Sequence, residues 1–268
     1  MPENGRIFID DLEGAPSAAP LGGMALPGGS LPGAGEREDW MRRRNLSSDP
    51  VAFEDEDPYS HRYTRFVVEE TAGTILHYWF GSSLERPTAL KDRMTLWFGG
   101  GFDLDRIIAH RFSEIVAKLA SGEAHRWADA GAHERLAAVI ALDQFSRNIF
   151  RGTEAAFEND ALALRLCKDA IAAGEDMQLK PLERWFLYMP LEHSESASDQ
   201  RRSVEKFTEL LEVGGPELHA DLLTALDFAK RHAAVIKKFG RFPHRNAILG
   251  RTSTSAEKAF MAKTPGGF

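Results

Sequence analysis

Cysteine and positive charge are both scarce in this sequence. Cys167 is the one cysteine among 268 residues, which excludes an internal disulfide and the cysteine-rich zinc motifs. A lone cysteine is typical of proteins in a reducing compartment, and we therefore expect a cytoplasmic location. The 33 lysines and arginines are outnumbered by 40 aspartates and glutamates, so that the formal net charge is −7. This acidic balance argues against a dedicated nucleic-acid-binding protein, because the domains of such proteins are usually basic.

Long apolar runs are also missing. A representative run, residues 137–142, is far shorter than the roughly 20 apolar residues that span a bilayer. The first residues, Met1 to Arg6, lack the basic region and the apolar stretch of a secretory signal. No segment combines alternating polarity with β-branched enrichment, which is the pattern of a half-buried strand. These absences predict a chain without a transmembrane helix and without a β-sheet.

The first 60 residues have the composition of a flexible tail. Residues 13–36 consist mostly of glycine, proline, alanine and serine, which bury too little apolar surface to offset the entropy of ordering. We predict a disordered N-terminal tail over residues 1–60 and a single domain over residues 61–268. The alternative is a docking segment that folds on a partner protein, because residues 7–9 and 40–41 are apolar.

Beyond the tail, apolar residues recur with the period of α-helices. Glycines stand where several helices end, and Pro181 stands where one begins. Helices are predicted over residues 63–80, from Asp103 or Asp105 as the N-cap to Gly122, and over residues 133–150, 158–173, 182–190, 198–213 and 216–239. A last helix starts with a capping box formed by Thr254 and Glu257. We therefore predict an all-α fold of antiparallel helix pairs, in a bundle or in a superhelical stack.

Three polar segments stand out, and the first is Leu142–Gly152. At about 100° per residue, its polar side chains fall within a sector of roughly 140° on one helix face. Leu136 and Ile140 lie on the same sector one turn earlier, which indicates a helix that leaves the core and enters a cleft. The alternative is a solvated face with an Asp143–Arg147 pair, worth a few tenths of a kcal/mol. The polar side chains are Asp143, Gln144, Arg147, Asn148 and Arg151.

The second polar segment follows Pro190, which we expect to interrupt a helix just before His193. A histidine, serines and carboxylates in so short a stretch are typical of a general acid–base site or a metal site. The alternative for the serines is capping of the next helix by Ser196. His193 and Glu195 lack the second histidine of a helical zinc motif, so no metal site is predicted.

The third polar segment, Phe239–Arg251, is a loop with an imposed shape, because Gly240, Pro243 and Gly250 prevent a continuous helix. Its arginines match carboxylates and phosphates, which a guanidinium binds bidentately. The alternative is that they cap helix C-termini or pair with carboxylates of the other two segments. The polar side chains of this loop are Arg241, His244, Arg245, Asn246 and Arg251.

Together these segments resemble an uncharacterised, mainly bacterial family called domain of unknown function 924. The resemblance lies in Leu142–Gly152, Met189–Glu195 and Phe239–Asn246, with Tyr78–Gly81 and Trp97–Phe98 ahead of them. It extends over about residues 68–263 and implies an all-α fold related to tetratricopeptide-like superhelices, but it implies no activity. Ser146 departs from the family pattern, which has a proline at this position.

The segments support two hypotheses of different class. The first is an enzyme that processes a small molecule or a peptide in an anion-binding pocket between helices. In that enzyme His193 or His244 moves a proton, Glu195 orients the imidazole and arginines hold the anion. The substrate-binding candidates are Asp143, Gln144, Arg147, Asn148, Arg151, Arg241, Arg245, Asn246 and Arg251.

The second hypothesis is a non-catalytic helical scaffold whose arginine-rich groove binds an acidic or carboxylate-bearing peptide of a partner protein. RNA binding through Lys237, Lys238, Arg241, His244 and Arg245 is disfavoured by the net charge and by the few exposed aromatic candidates for base stacking. The sequence specifies no cofactor. An open groove with solvated charges would favour the scaffold, whereas buried polar groups with perturbed pKa values would favour the enzyme.

Overall fold

The computed structural model describes residues 71–84, 90–99 and 101–264. The chain divides into two units, Met1–Val67 and Val68–Phe268, and the described residues all belong to the second unit. The predicted tail and the start of the predicted helix at residues 63–80 therefore lie outside the described residues.

Within the described ranges the regular structure is entirely helical, as predicted. The α-helices are α1 (Ala72–Phe80), α2 (Leu90–Met94), α3 (Phe102–Lys118), α4 (Ala124–Ala130), α5 (Ala132–Val139), α6 (Ser146–Ile149), α7 (Asp160–Ala173), α8 (Pro181–His193), α9 (Ala197–Val213), α10 (Gly215–Phe239) and α11 (Ser255–Lys263). Wider π-helical turns lie at Thr95–Gly99 and Ile140–Phe145, whereas Leu119–Glu123 contains a kink at Gly122, where φ is 133°. Short 3₁₀ turns lie at Glu154–Ala156, Glu175–Gln178 and Pro243–Arg245. Among the described residues, no helix is both long and apolar enough to cross a bilayer.

Helix boundaries follow the predicted start and stop residues in several places. Pro181 opens α8, and Thr254 forms the expected capping box with Glu257 at the start of α11. Gly174 ends α7 in the left-handed region, with φ of 71°, where glycine carries no Cβ penalty.

One predicted cap is wrong, and another is confirmed in its position but not in its hydrogen bond. Gly101 caps α3, and Asp103 and Asp105 lie in its first turn, where their negative charges still favour the helix N-terminus. Ser196 occupies the N-cap position of α9, but its hydroxyl bonds the hydroxyl of Ser198 at 2.8 Å rather than a backbone N–H.

The predicted break at Pro190 is also wrong, because α8 continues through this residue to His193. A proline inside a helix removes one backbone donor and crowds the preceding turn. Residues 185–192 of α8 are nevertheless all buried. The packing of this central helix outweighs the local preference of one residue, since helix propensity is a weak prior beside tertiary contacts.

The core is built around α8 and an aromatic cluster from four parts of the chain. Trp79 of α1 packs edge-on against Phe145 and Phe186, with ring centroids 5.5 and 5.4 Å apart. Trp97 joins this cluster and donates its indole N–H to the carbonyl of Trp79 at 3.0 Å. Short connections join α8 to α9 and α9 to α10, so these packed neighbours run antiparallel, as predicted.

Candidate functional site

Asp143 lies in the π-helical turn between α5 and α6. Such wide turns interrupt the regular helix repeat and are frequent at functional sites. Phe145 anchors the turn in the core, where its ring stacks on Phe112 with centroids 4.4 Å apart. The turn therefore holds the Asp143 carboxylate in the interior, where the residue is 1% exposed.

The imidazole of His193, at the C-terminal end of α8, meets this carboxylate. Nδ1 of His193 lies 2.8 Å from Oδ1 of Asp143, although 50 positions separate the two residues in sequence. The side chain of His193 keeps 13% of its surface exposed. Among the described residues, this contact is the one hydrogen bond of the ring, and Nε2 has no partner.

Charge fixes the protonation of this pair. Burial opposes ionisation of Asp143, but Arg147 and His193 outweigh it and hold the pKa of the carboxyl far below its usual value. Burial and then the positive charge of Arg147 lower the pKa of His193, and the charge of Asp143 offsets them only in part. At neutral pH the pair is therefore a carboxylate and a neutral imidazole. Because a carboxylate accepts only, Nδ1 carries the proton and Nε2 carries the lone pair.

Two arginines flank the pair and share a carboxylate, Asp160 at the start of α7. Arg147 donates to both oxygens of Asp160, at 2.9 and 3.3 Å, and lies 3.4 Å from Oδ1 of Asp143. Arg245 donates to Oδ2 of Asp160 at 3.2 Å. Burial and the positive charge of Arg147 lower the pKa of Arg245. Two guanidinium groups thus converge beside His193 on one partly exposed carboxylate.

Aromatic rings fix the plane of the Arg245 guanidinium. Its Cζ lies 4.7 Å from the ring centroid of Phe157 and 4.8 Å from that of Phe242. Such cation–π contacts hold a guanidinium without using its N–H donors. Nε of Arg245 is buried and has no hydrogen-bond partner within the described part of the chain.

The backbone around His193 is held at three successive carbonyls. Nε2 of Gln200 lies 2.7 Å from the carbonyl oxygen of Glu192 and 2.7 Å from that of Ser194. Arg245 donates to the intervening carbonyl of His193 at 3.1 Å. Helix C-termini leave carbonyls without intrahelical partners, and here these two side chains bind them. The clamp fixes the position from which the imidazole reaches Asp143.

A second carboxyl–imidazole contact lies next to the first. Oε1 of Glu192 is 3.0 Å from Nδ1 of His232, a residue of α10. The same Nδ1 lies 2.8 Å from the carbonyl oxygen of Phe228, so Nδ1 is the protonated nitrogen and donates to that carbonyl. The rings of His193 and His232 are 6.4 Å apart between centroids. Burial and then Asp143 raise the pKa of Glu192 to about 8, and burial lowers the pKa of His232 to about 3.

Glu195 does not orient the imidazole of His193, contrary to the prediction. Its carboxylate accepts the backbone N–H of Phe242 at 2.7 Å and both terminal nitrogens of Arg251, at 2.7 and 2.9 Å. Glu195 points towards the loop after α10 because that loop supplies three donors, whereas the π-helical turn brings Asp143 to His193. Glu195 and Arg251 pin the loop to the start of α9.

Three of the predicted substrate-binding residues lie away from His193. Asn148 and Arg151 both donate to Asp105 of α3. After Arg147, the polar side chains of this segment face α3 and not His193. Arg241 forms a bidentate pair with Glu257, at 2.7 and 2.9 Å, and so ties the loop to α11.

The remaining predicted residues differ in their relation to the Asp143–His193 pair. Gln144 donates to Oδ2 of Asp143 at 2.5 Å. Asn246 is fully buried and donates to the hydroxyl of Ser253, so its role is in the loop itself. The exposed ring of His244 packs on Phe242 at 5.6 Å, and partial burial and the charge of Arg245 lower its pKa to about 4.

Four residues of the centre were not predicted from the sequence: Asp160, Glu192, Gln200 and His232. His232 and Asp160 sit in helices whose amphipathic pattern marks nothing unusual. Glu192 lies within the second polar segment and Gln200 just after it, but a carboxylate and an amide near a helix end are normally solvated. No cluster of metal-ligating side chains occurs within residues 71–84, 90–99 and 101–264.

Comparison with known proteins identifies the family. A family model described as a bacterial protein of unknown function, DUF924, matches residues 75–265. A solved structure of a protein of unknown function from Agrobacterium tumefaciens is 32% identical and superposes with a TM-score of 0.60, covering 72% of this chain and 97% of that chain. Comparison with curated proteins gives no match. The chain belongs to the bacterial family named domain of unknown function 924.

Proposed function

We propose that this protein is an enzyme that acts on a small molecule or a peptide bearing an anionic group, with His193 as its general base. The observation that carries the proposal is the buried Asp143–His193 hydrogen bond of 2.8 Å. A carboxylate on Nδ1 fixes both the tautomer and the direction of the ring, and it stabilises the imidazolium that forms when Nε2 takes a proton. The lowered pKa of His193 supports this role, because the ring is neutral and ready to accept a proton at pH 7.

The substrate class follows from the charges beside this base. Arg147 and Arg245 converge from two different segments. Burial lowers the pKa of Arg245, and repulsion from the charge of Arg147 lowers it further. Asp160 offsets this repulsion, and its partly exposed carboxylate occupies the position that a substrate carboxylate or phosphate would take between two guanidinium groups. An anionic substrate group would bind these arginines next to Nε2 of His193.

The first test uses reporter substrates of several reaction classes, such as esters, phosphoesters and amides that carry an anionic group. His193→Gln should abolish any turnover that the wild-type protein shows, and Asp143→Asn should lower kcat by about 10²–10⁴-fold, because the ring loses its tautomer and orientation. His125→Gln and Asp129→Asn are matched controls at exposed positions of α4. Turnover that persists in the His193→Gln variant would contradict the proposal.

The second candidate function is a scaffold that binds an acidic peptide. One observation favours it: every predicted arginine already pairs with a carboxylate of this chain, as an arginine-rich groove would when its partner is absent. A peptide array read by fluorescence polarisation separates the two functions. Binding of an acidic peptide that weakens in Arg245→Ala but is indifferent to His193→Gln would favour the scaffold.

A further inference from the structure

Two carboxyl–imidazole pairs lie side by side in this protein, and the proposed function uses only one of them. Glu192 and His193 are consecutive, and each contacts a group from another element: Glu192 meets His232, and His193 meets Asp143. The two rings are 6.4 Å apart at an angle of 64°. The second pair therefore lies within the same site and not in a separate part of the fold.

The two carboxyl groups have different surroundings. The carboxylate of Asp143 accepts hydrogen bonds from Gln144 and His193 and forms an ion pair with Arg147 at 3.4 Å, so its negative charge is compensated. Glu192 is 5% exposed, and among the described residues no lysine or arginine lies within salt-bridge distance of it. The charge of Asp143 adds to the effect of burial and raises the pKa of Glu192, because it repels a second anion. A buried carboxyl without a cation keeps its proton, because ionisation would place an uncompensated charge in the interior.

We propose that Glu192 is the general acid of the site, complementary to the base His193, and that His232 is the residue that positions it. This inference rests on the proposed function. Nδ1 of His232 is fixed as a donor by the carbonyl of Phe228, so its N–H also faces Oε1 of Glu192 and leaves the acidic proton on Oε2. The surroundings of the two carboxyls move their pKa values in opposite directions. Glu192 therefore has the acid role, and Asp143 is the ionised partner of the base.

The protons balance in such a reaction. His193 removes a proton from the substrate or from an attacking water, so that an X–H bond breaks and an Nε2–H bond forms. Glu192 gives its proton to a second substrate atom, which receives the electron pair of the bond that breaks there. The site ends with an imidazolium and a carboxylate, and a proton passing from His193 to Glu192 restores the starting state. The reaction class is one that needs an acid and a base together, such as hydrolysis, elimination or isomerisation.

The pH dependence of catalysis follows from the groups that face the Glu192–His232 pair. These are Asp143 from the π-helical turn, His193 from α8, and His244 and Arg245 from the loop after α10. On a reporter that the full chain turns over, kcat/KM should fall above pH 8, where Glu192 loses its proton. The same ionisation should move the ring signals of His232 near pH 8 in an NMR titration of the full chain, which needs no substrate.

Glu192→Gln is the deciding variant, and Glu217→Gln at an exposed position of α10 is its control. Glu192→Gln should lower kcat by about 10²-fold or more and remove both the alkaline fall in rate and the step in the His232 signals. A wild-type titration without a step near pH 8, or an alkaline fall that persists in Glu192→Gln, would overturn this inference alone. Turnover that does not depend on His193 would remove the proposed function and this inference with it.

Discussion

At the residue level, the chemistry of the site depends on how single side chains are partnered. The sequence identified His193, Asp143 and the arginines as polar groups in unexpected places, and the structure brings Asp143, Arg147, His193 and Arg245 together. Their pairing was not predictable, because Glu195 and Asp143 are chemically equivalent partners for an imidazole. The choice depends on which carboxylate the backbone aims at His193, and a π-helical turn is not visible in the sequence pattern.

Glu192 should also make the stability of the protein depend on pH. Its pKa is raised from the ordinary carboxyl value to about 8. Between these two values the carboxyl keeps its proton in the folded state and has lost it in the unfolded state. The free energy of unfolding therefore falls as pH rises from the ordinary carboxyl pKa to about 8. Below about pH 6.5 the lowered pKa of His232 acts in the opposite sense, since the unfolded chain then binds the extra proton.

The window between pH 6.5 and pH 8.5 isolates the carboxyl. Urea unfolding should show that Glu192→Gln gains about 2 kcal/mol relative to wild type as pH is raised from 6.5 to 8.5, because an amide has no proton to lose. Glu217→Gln should follow the wild type. An unchanged difference between Glu192→Gln and wild type at the two pH values would show that Glu192 is already ionised at neutral pH.

At the scale of the element, the helices were predictable where local signals and packing agree. The ends at Gly174 and Thr254 follow from the backbone freedom of glycine and from capping chemistry. Pro190 was misleading because its local cost is small beside the burial of α8. The polar side chains of Leu142–Gly152 do not share one helix face as predicted. The π-helical turn at Ile140–Phe145 changes the direction in which successive side chains point, so Asp143 and Arg151 face different neighbours.

The C-terminal end of α8 offers a test of positioning by an element. Gln200 is 1% exposed and donates to the carbonyls on either side of His193. Gln200→Leu keeps the volume but leaves these carbonyls unpaired, at a cost of about 1–3 kcal/mol for each buried acceptor. Chemical denaturation should show this loss, whereas Gln178→Leu at an exposed position should change stability by less than about 0.5 kcal/mol. Equal effects of the two substitutions would contradict the clamp.

At the scale of the whole molecule, residues about 50 to 100 positions apart form one centre. Asp143, His193 and Arg245 come from three helical regions, and His193 contacts both of the other residues. That the three segments meet was predictable, because each is too polar for the core and too constrained for an ordinary surface. That the arginines already pair with carboxylates of the chain was not, since partners such as Asp160 lie in helices of ordinary pattern.

The reactivity of His193 itself shows whether its Nε2 is an accessible neutral base. Diethyl pyrocarbonate acylates neutral imidazole, and peptide mass mapping gives the rate at each histidine. Because the pKa of His193 is lowered, its rate relative to N-acetylhistidine should rise as pH falls from 7.5 to 5.5, while the reference becomes protonated near pH 6.5. The exposed His125 reports on reagent activity in the same digest. If His125 is modified while His193 stays unmodified, or if His193 loses reactivity in parallel with N-acetylhistidine, then Nε2 is not an accessible neutral base and His193 is not the general base.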